Sequence, residues 1–302
     1  MCEITVVENC KEANLITHGG RFHADDVFAT VILMKCLGIA KVYRAIKLPK
    51  DIPDNVIVYD IGFGAYDHHQ KGGNGKRWNG VPYASAGLIW RDFGGKLLEN
   101  SCDSAYVLNI VDKGIIQGID AIDNFDVPRI DYPTDIMSIS QAVSFFNPVW
   151  DSDENIDEAF VKAVKFAEII FDNVLKAAES KAKARQPVED AISKADGNIM
   201  VLSPFSPWKN FLLKSENPKA KEIEFVVFPS NRGGYNWCCV DKDFYGREHR
   251  RDVPREWWGC AVEELRKKTG VPTANFCHVD GFIGGAETLE DTIQMVKLAS
   301  KY

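Results

Sequence analysis

Residues 14–38, NLITHGGRFHADDVFATVILMKCLG, set the architecture of this chain. NLITH reads as a short strand, GGRFHADD as a loop, and DVFATVILMKCLG as a helix closed by Gly38. The helix is apolar nearly all round, and such a helix is buried on every side. KVYRAI is the next strand, and NVIVYDIG is a strand ending in Asp60. The order β-loop-α-β-β is that of a mostly parallel, buried sheet.

Farther along, PYASAGLIWRDFGG reads as a helix stopped by its glycines. Residues 104–124 carry Leu108, Val111, Ile115, Ile119 and Ile122 at helical spacing. SISQAVSFF adds another helix, and a long one runs from about Glu154 to Arg185, with acids at its start and bases at its end, as the helix dipole favours. After RQPVED the texture changes. GNIMVLS, EIEFVVFPS and YNWCCV read as strands, and REWWGCAVEELRKKTG and TLEDTIQMVKLASK as helices. The expectation is an α/β chain. A mostly parallel sheet flanked by helices occupies residues 1–186, and a smaller α+β domain follows at 187–302, with the boundary near Arg185 to Pro187.

The chain has 302 residues and a formal net charge of -7, with 45% hydrophobic residues, an ordinary globular composition. The charge excludes a broad basic coat for nucleic acid; such a substrate would need a local basic groove or metal ions. DKDFYGREHRRDVPREWW looks basic, but its bases are matched by acids. Eight cysteines occur with no CxxC pair. No signal peptide is evident, and no apolar run reaches the roughly 18 residues of a membrane span. We therefore expect a cytoplasmic chain with free thiols and no membrane partner. An oligomer is compatible with the sequence.

Acids and imidazoles gather where strands end. THGGRFHADD supplies His18, His23, Asp25 and Asp26; VYDIG supplies Asp60; YDHHQ supplies Asp67, His68 and His69; GIDAIDNFD supplies Asp120, Asp123 and Asp126. In open α/β sheets, ligands bind beyond the carboxyl ends of the strands. Imidazole and carboxylate without thiolate suit Mn²⁺, Fe²⁺, Co²⁺ or Zn²⁺. Two such ions can activate water and neutralise charge on a phosphoryl group. Each motif alone has a plainer reading: DHH as a surface turn, HADD as a helix cap, DAIDNFD as a solvated helix end. Their joint placement favours metal.

In this order, the His/Asp motif, the Asp after a second apolar strand, the DHH triplet and the later Asp resemble the DHH phosphoesterase superfamily. Within it, LITHGGRFHADDVFAT, YDHHQKGG, SAGLIW, DAIDN, GGYNW and HVDGFIGG are similar to the Myg exonuclease branch, also described as metal-dependent protein hydrolases. The resemblance implies two divalent ions, Mn²⁺ by expectation, held by His18, His23, Asp25, Asp60, His68 and Asp123. Asp60 would bridge them, and Asp120 is the less favoured alternative to Asp123. Most superfamily members have an Asp where His23 stands. His69 would face the substrate phosphate, with Asp67 orienting its neighbours. The C-terminal domain resembles a substrate-binding domain. There Arg232 and His278 are expected phosphate contacts, and Gly284 and Gly285 lie in a stretch that reads either as a phosphate-contacting loop or as a tight turn. KGGNGKRW, with Lys71, Lys76 and Arg77, could hold a phosphate tail or form a surface loop.

The activity implied is metal-dependent hydrolysis of phosphodiester bonds, with RNA or short oligonucleotides degraded from the 3′ end. The alternatives are a hydrolase of a small phosphate compound, such as a nucleotide or pyrophosphate, and a metal-binding regulatory protein without turnover.

Overall fold

The computed structural model describes residues 3–127, 133–134, 136–246 and 248–302. Cys2, one of the eight cysteines, and Arg247, in the DKDFYGREHRRDVPREWW stretch, lie outside the described residues. The chain divides into two compact units, Met1–Ala182 and Lys183–Tyr302.

The first unit is built on four parallel strands, β1 (Glu3–Val6), β2 (Leu15–His18), β3 (Ile39–Ala45) and β4 (Ile57–Val58), in the order β1-β3-β2-β4. β2 is flanked on both sides, pairing Ile16 with Tyr43 of β3 and with Val58 of β4. Its Leu15, Ile16 and Thr17 are buried, as an interior parallel strand requires. Helix α1 (Ala24–Leu37) follows. Every residue from Ala24 to Met34 is buried, which explains its lack of a polar face. Gly38 ends it in the left-handed region (φ 80°), donating its N–H to Met34 O.

Four further helical segments complete this unit. α2 (Ser85–Leu97) runs straight through Gly94 and Gly95 rather than stopping at them. Packing explains Gly94: a Cβ there would stand 2.8 Å from the Trp90 ring and 2.9 Å from Leu108. The helical stretch 104–124 is α3 (Ser104–Val111), one π-helical turn (Asp112–Ile116) and α4 (Gln117–Asp123) in unbroken succession. α5 (Ile139–Ser144) is short, and α6 (Ile156–Lys183) is the long amphipathic helix. α6 buries Phe160, Val164, Ala167 and Phe171 in the same core as Phe28, Ile32 and Trp90. Each such aromatic, fully withdrawn from water, contributes roughly 1.5–3 kcal/mol.

The second unit holds α7 (Arg185–Ser193), β5 (Ile199–Val201), α8 (Lys209–Lys214), β6 (Phe225–Pro229), β7 (Tyr235–Cys239), α9 (Val262–Thr269), β8 (Ala274–Cys277), β9 (Ile283–Ala286) and α10 (Leu289–Ala299). Its mixed sheet has the order β5-β6-β7-β9-β8. Only β5 and β6 are parallel. REWWGCAVEELRKKTG is a 3₁₀ turn (Arg255–Trp257) and then α9, not one helix. The seven cysteines among the described residues are free. Among the described residues, no helix is long and apolar enough to cross a membrane.

Candidate metal centre

Two adjacent parallel strands deliver the first donors. His18 is the last residue of β2, and Asp60 stands two residues beyond β4, after Tyr59 has donated its N–H to Ile16 O. Asp60 sits in the left-handed region (φ 57°), which Asp tolerates better than most side chains. The chain then reverses through Gly62 and Phe63, both at positive φ, and returns so that Asp60 N–H donates to Tyr66 O. That reversal sets Asp60 beside Asp67, His68 and His69.

The first turn of α1 contributes two acids with different duties. Asp25 is fully buried and accepts the Ser85 N–H (3.0 Å) and the Ala86 N–H (2.6 Å), the free donors at the start of α2. The α2 cap residue, Ala84, offers no side-chain acceptor, so the acid comes from another element. Asp120 accepts the Gly87 N–H at 3.0 Å, completing the set. Asp26 closes a capping box with its Oδ1 on the His23 N–H at 2.8 Å.

These placements bring three donor groups together, each with its ligand atoms within 4.8 Å of one another: His18, Asp26 and Asp60; Asp60, Asp67, His68 and His69; and Asp25, His68 and Asp123. Asp60 and His68 each belong to two of them. His18 Nε2 is 3.3 Å from Asp60 Oδ2 and 3.4 Å from Asp26 Oδ2. His68 Nε2 meets Asp123 Oδ2 at 2.9 Å, while its Nδ1 lies 3.7 Å from both Asp25 Oδ2 and Asp60 Oδ1. Ser85 Oγ donates to Asp60 Oδ1 at 3.1 Å. Asp67 accepts from the Phe63 N–H, the His69 N–H and His69 Nδ1 (2.7 Å), and the two imidazoles stack with centroids 4.3 Å apart.

The electrostatics show an excess of acid. Burial, together with the charges of Asp60, Asp123 and Asp120, pushes Asp25 well above the usual carboxylate range. Burial pushes Asp26 up to about 7, opposed in part by His18. Burial would lower His18, but the Asp60 hydrogen bond and the charges of Asp26 and Asp60 raise it to about 9. Burial would raise Asp60, yet the His18 hydrogen bond and the neighbouring imidazoles hold it below its usual range. Protons are thus retained where fixed cations are too few.

A divalent cation fits this deficit. Asp26 Oδ2 is buried and accepts no hydrogen bond, a costly state for a carboxylate oxygen. It points among His18 and Asp60, an all-nitrogen-and-oxygen donor set suited to Mn²⁺, Fe²⁺, Co²⁺ or Zn²⁺.

Sequence reasoning named His18, Asp25, Asp60, His68 and Asp123 as ligands, and the structure gathers all five. It leaves His23 outside the three groups: its ring is 58% exposed, and Nδ1 is 3.9 Å from Asp123. Asp26, grouped with these donors in the sequence but not named a ligand, lies with His18 and Asp60. Its spacing three residues beyond the cap at a strand-to-helix turn was the available signal. Asp120 pairs with Arg77 at 2.7 Å instead of facing the cluster. Arg77, expected on a phosphate, is buried, with Nε and Nη2 on Asp112 and Nη1 on Pro82 O. Lys71 and Lys76 are exposed.

In the second unit, Arg232 is exposed in the turn between β6 and β7, and His278 opens the turn between β8 and β9. Gly284 and Gly285 are neither loop nor turn. They lie inside β9, where a Cβ would meet the Trp237 ring at 2.4 Å and Tyr235 O at 2.4 Å respectively. A cavity of about 800 Å³, lined by Trp208, Asp241, His249 and Trp258, also belongs to this unit and contains none of the clustered donors.

Comparison with known proteins agrees over nearly the whole length. The chain is 30% identical to the MYG1 protein YER156C of Saccharomyces cerevisiae, covering 94% of this chain and 95% of that one. It is 30% identical to the MYG1 exonuclease of Rattus norvegicus (93% and 83%) and 28% identical to that of Homo sapiens (93% and 84%). No solved structure matches. A family model described as an uncharacterised protein family (UPF0160) matches residues 14–299, and the chain belongs to this MYG1 family.

Proposed function

We propose that the chain is a metal-dependent phosphodiesterase of the DHH superfamily, a 3′–5′ exonuclease on RNA or short oligonucleotides. The observation that carries the reading is Asp60: one buried carboxylate shared by two donor groups, as a bridge between two cations requires. The name exonuclease on the rat and human relatives supports the same class.

His18, Asp26 and Asp60 would hold one ion; Asp25, His68 and Asp123 would hold the other, with Asp60 Oδ1 3.7 Å from His68 Nδ1. When bound, such ions, Mn²⁺ by preference, lower the pKa of water and offset charge on the phosphoryl group. The chain's own groups do the positioning. Ser85 fixes Asp60, and Asp67 holds His69 by Nδ1, leaving Nε2 to donate, when protonated, to a phosphate oxygen. Lys71 and Lys76 would meet the next phosphate. The second unit would act as the substrate-binding domain, with Arg232 and His278 as its phosphate contacts.

The test sets wild type beside Asp60→Asn, because Asn also tolerates the left-handed backbone. Mn²⁺-loaded wild type should shorten a 5′-labelled RNA stepwise and leave mononucleotides intact. Asp60→Asn should keep the fold by circular dichroism, retain less metal and lose cleavage. A wild-type protein that takes up no divalent metal, or a fully active Asp60→Asn, would overturn the reading.

A further inference from the structure

We propose that the cavity beside the metal centre seats the terminal ribonucleoside, with its base on Phe125 and its sugar hydroxyls on Ser140 and Gln141. The inference rests on the phosphodiesterase reading above and names the part of the substrate that this site selects. The cavity holds about 630 Å³, within the range of nucleoside-sized pockets. His69 and Asp123 stand on its wall, so a ligand in it abuts the proposed chemistry.

Three observations identify the occupant. First, apart from Asp123 and the imidazoles, the lining is uncharged. It has no Lys or Arg, so it is no seat for a phosphate, and its hydroxyl and amide groups suit a neutral, hydrogen-bonding ligand. Second, Phe125 is 93% exposed and sits at φ 55°, a backbone region where Phe is rare. It occupies the residue after the α4 cap Asn124, where Gly or Asn is usual. Its exposure leaves the ring without a packing role, and an aromatic face offered to a cavity is what a base stacks on. Third, Ser140 lines this cavity, and its Oγ is buried with no hydrogen-bond partner among the described residues. Ser138 and Ser144 are already engaged with the backbone of Gln141, while no hydrogen bond from the Gln141 side chain is found among the described residues. Two unspent groups match the two hydroxyls of a terminal ribose; a terminal deoxyribose offers one.

Binding separates this proposal from catalysis. Adenosine and 2′-deoxyadenosine carry no phosphate, so their binding to metal-free protein, followed by ligand-observed NMR titration, reads the cavity alone. Phe125→Ala should weaken adenosine by roughly tenfold or more, and Phe125→Tyr should restore it. Ser140→Ala should reduce the preference for adenosine over its deoxy form by about fivefold, the value of one hydrogen bond. Because Phe125 is exposed, the fold is not at risk. Wild type that fails to bind adenosine, or Phe125→Ala that binds it equally well, would overturn the inference even if RNA is cleaved. If adenosine binding depends on Phe125 but no oligonucleotide is cleaved, the cavity stands and the phosphodiesterase reading falls.

Discussion

Gly87→Ala probes the layer beside the candidate metal centre. Gly87 lies in the first turn of α2, where helix propensity favours Ala over Gly by about 1 kcal/mol. The geometry reverses that sign. An added Cβ would stand 1.8 Å from Asp120 Oδ2 and 2.7 Å from Arg77 Nη2. Asp120 must move, stretching its bond from the Gly87 N–H (3.0 Å) and its pair with Arg77 (2.7 Å). Overpacking a core costs roughly 1–3 kcal/mol, and separating a buried ion pair roughly 3–5 kcal/mol. Arg77 keeps Asp112 as a second partner, so the low end of the latter applies. Less the propensity gain, the net loss is about 3–5 kcal/mol. For a unit the size of Met1–Ala182, that lowers the midpoint by roughly 6–20 °C. Urea and thermal unfolding followed by circular dichroism measure it. A Gly87→Ala protein as stable as wild type would refute the reasoning. So would an unchanged cost in an Asp120→Ala background, where the new methyl group should occupy vacated space and cost less than about 1 kcal/mol.

Three other outcomes are expected. Asp26→Asn keeps the capping oxygen but removes a buried charge, so metal-free protein should gain stability while Mn²⁺ affinity falls at least tenfold by calorimetry; unchanged affinity would remove Asp26 from the ligand set. His23→Ala should retain the metal content of wild type by elemental analysis, whereas His18→Ala should lose an ion, and equal losses would restore His23 as a ligand. The thermal gain on adding Mn²⁺ should grow as pH rises from about 6 to 9. Folded Asp26 keeps its proton to about 7 against an ordinary 3.8, so the metal-free fold loses stability as pH climbs through that window. His18, raised from 6.5 to about 9, contributes fully below 6.5, and its contribution is lost as pH approaches 9. Metal needs both groups deprotonated, so a flat or shrinking gain in differential scanning fluorimetry would contradict the linkage.

Much of this organisation is legible in sequence because the decisive interactions are short-range. β2, α1 and β3 follow from the apolar run of Leu15 to Ile16, the all-round burial of α1 and the stop at Gly38. Parallel neighbours then carry His18 and Asp60 to the same carboxyl end of the sheet without further information. What sequence hides depends on partners far along the chain. Arg77 reads as a free base in KGGNGKRW, because Asp112 and Asp120 lie 35 and 43 residues away. Gly94 reads as a helix stop, because the Leu108 side chain that helps Trp90 of the same helix forbid a Cβ comes from α3. Gly284 and Gly285 read as a loop or tight turn for the same reason: the Trp237 ring and the Tyr235 carbonyl that exclude their side chains belong to β7, the strand paired alongside.

HADD shows how one short motif divides its labour. A helix start needs acceptors for its free N–H groups, and any of these acids would serve as a cap. Asp25 is drawn away to the start of α2, where both its oxygens are occupied. Asp26 caps its own helix with one oxygen only, and the other is left buried without a hydrogen bond, 3.4 Å from His18 Nε2. The same geometry that satisfies the scaffold therefore leaves one carboxylate oxygen in deficit at the shared wall of the cluster. Protons fill that deficit when no cation does, as the raised positions of Asp26 and His18 require. A centre arranged this way is held in place by its helix caps, so removing the cation should change its protonation before it changes its shape.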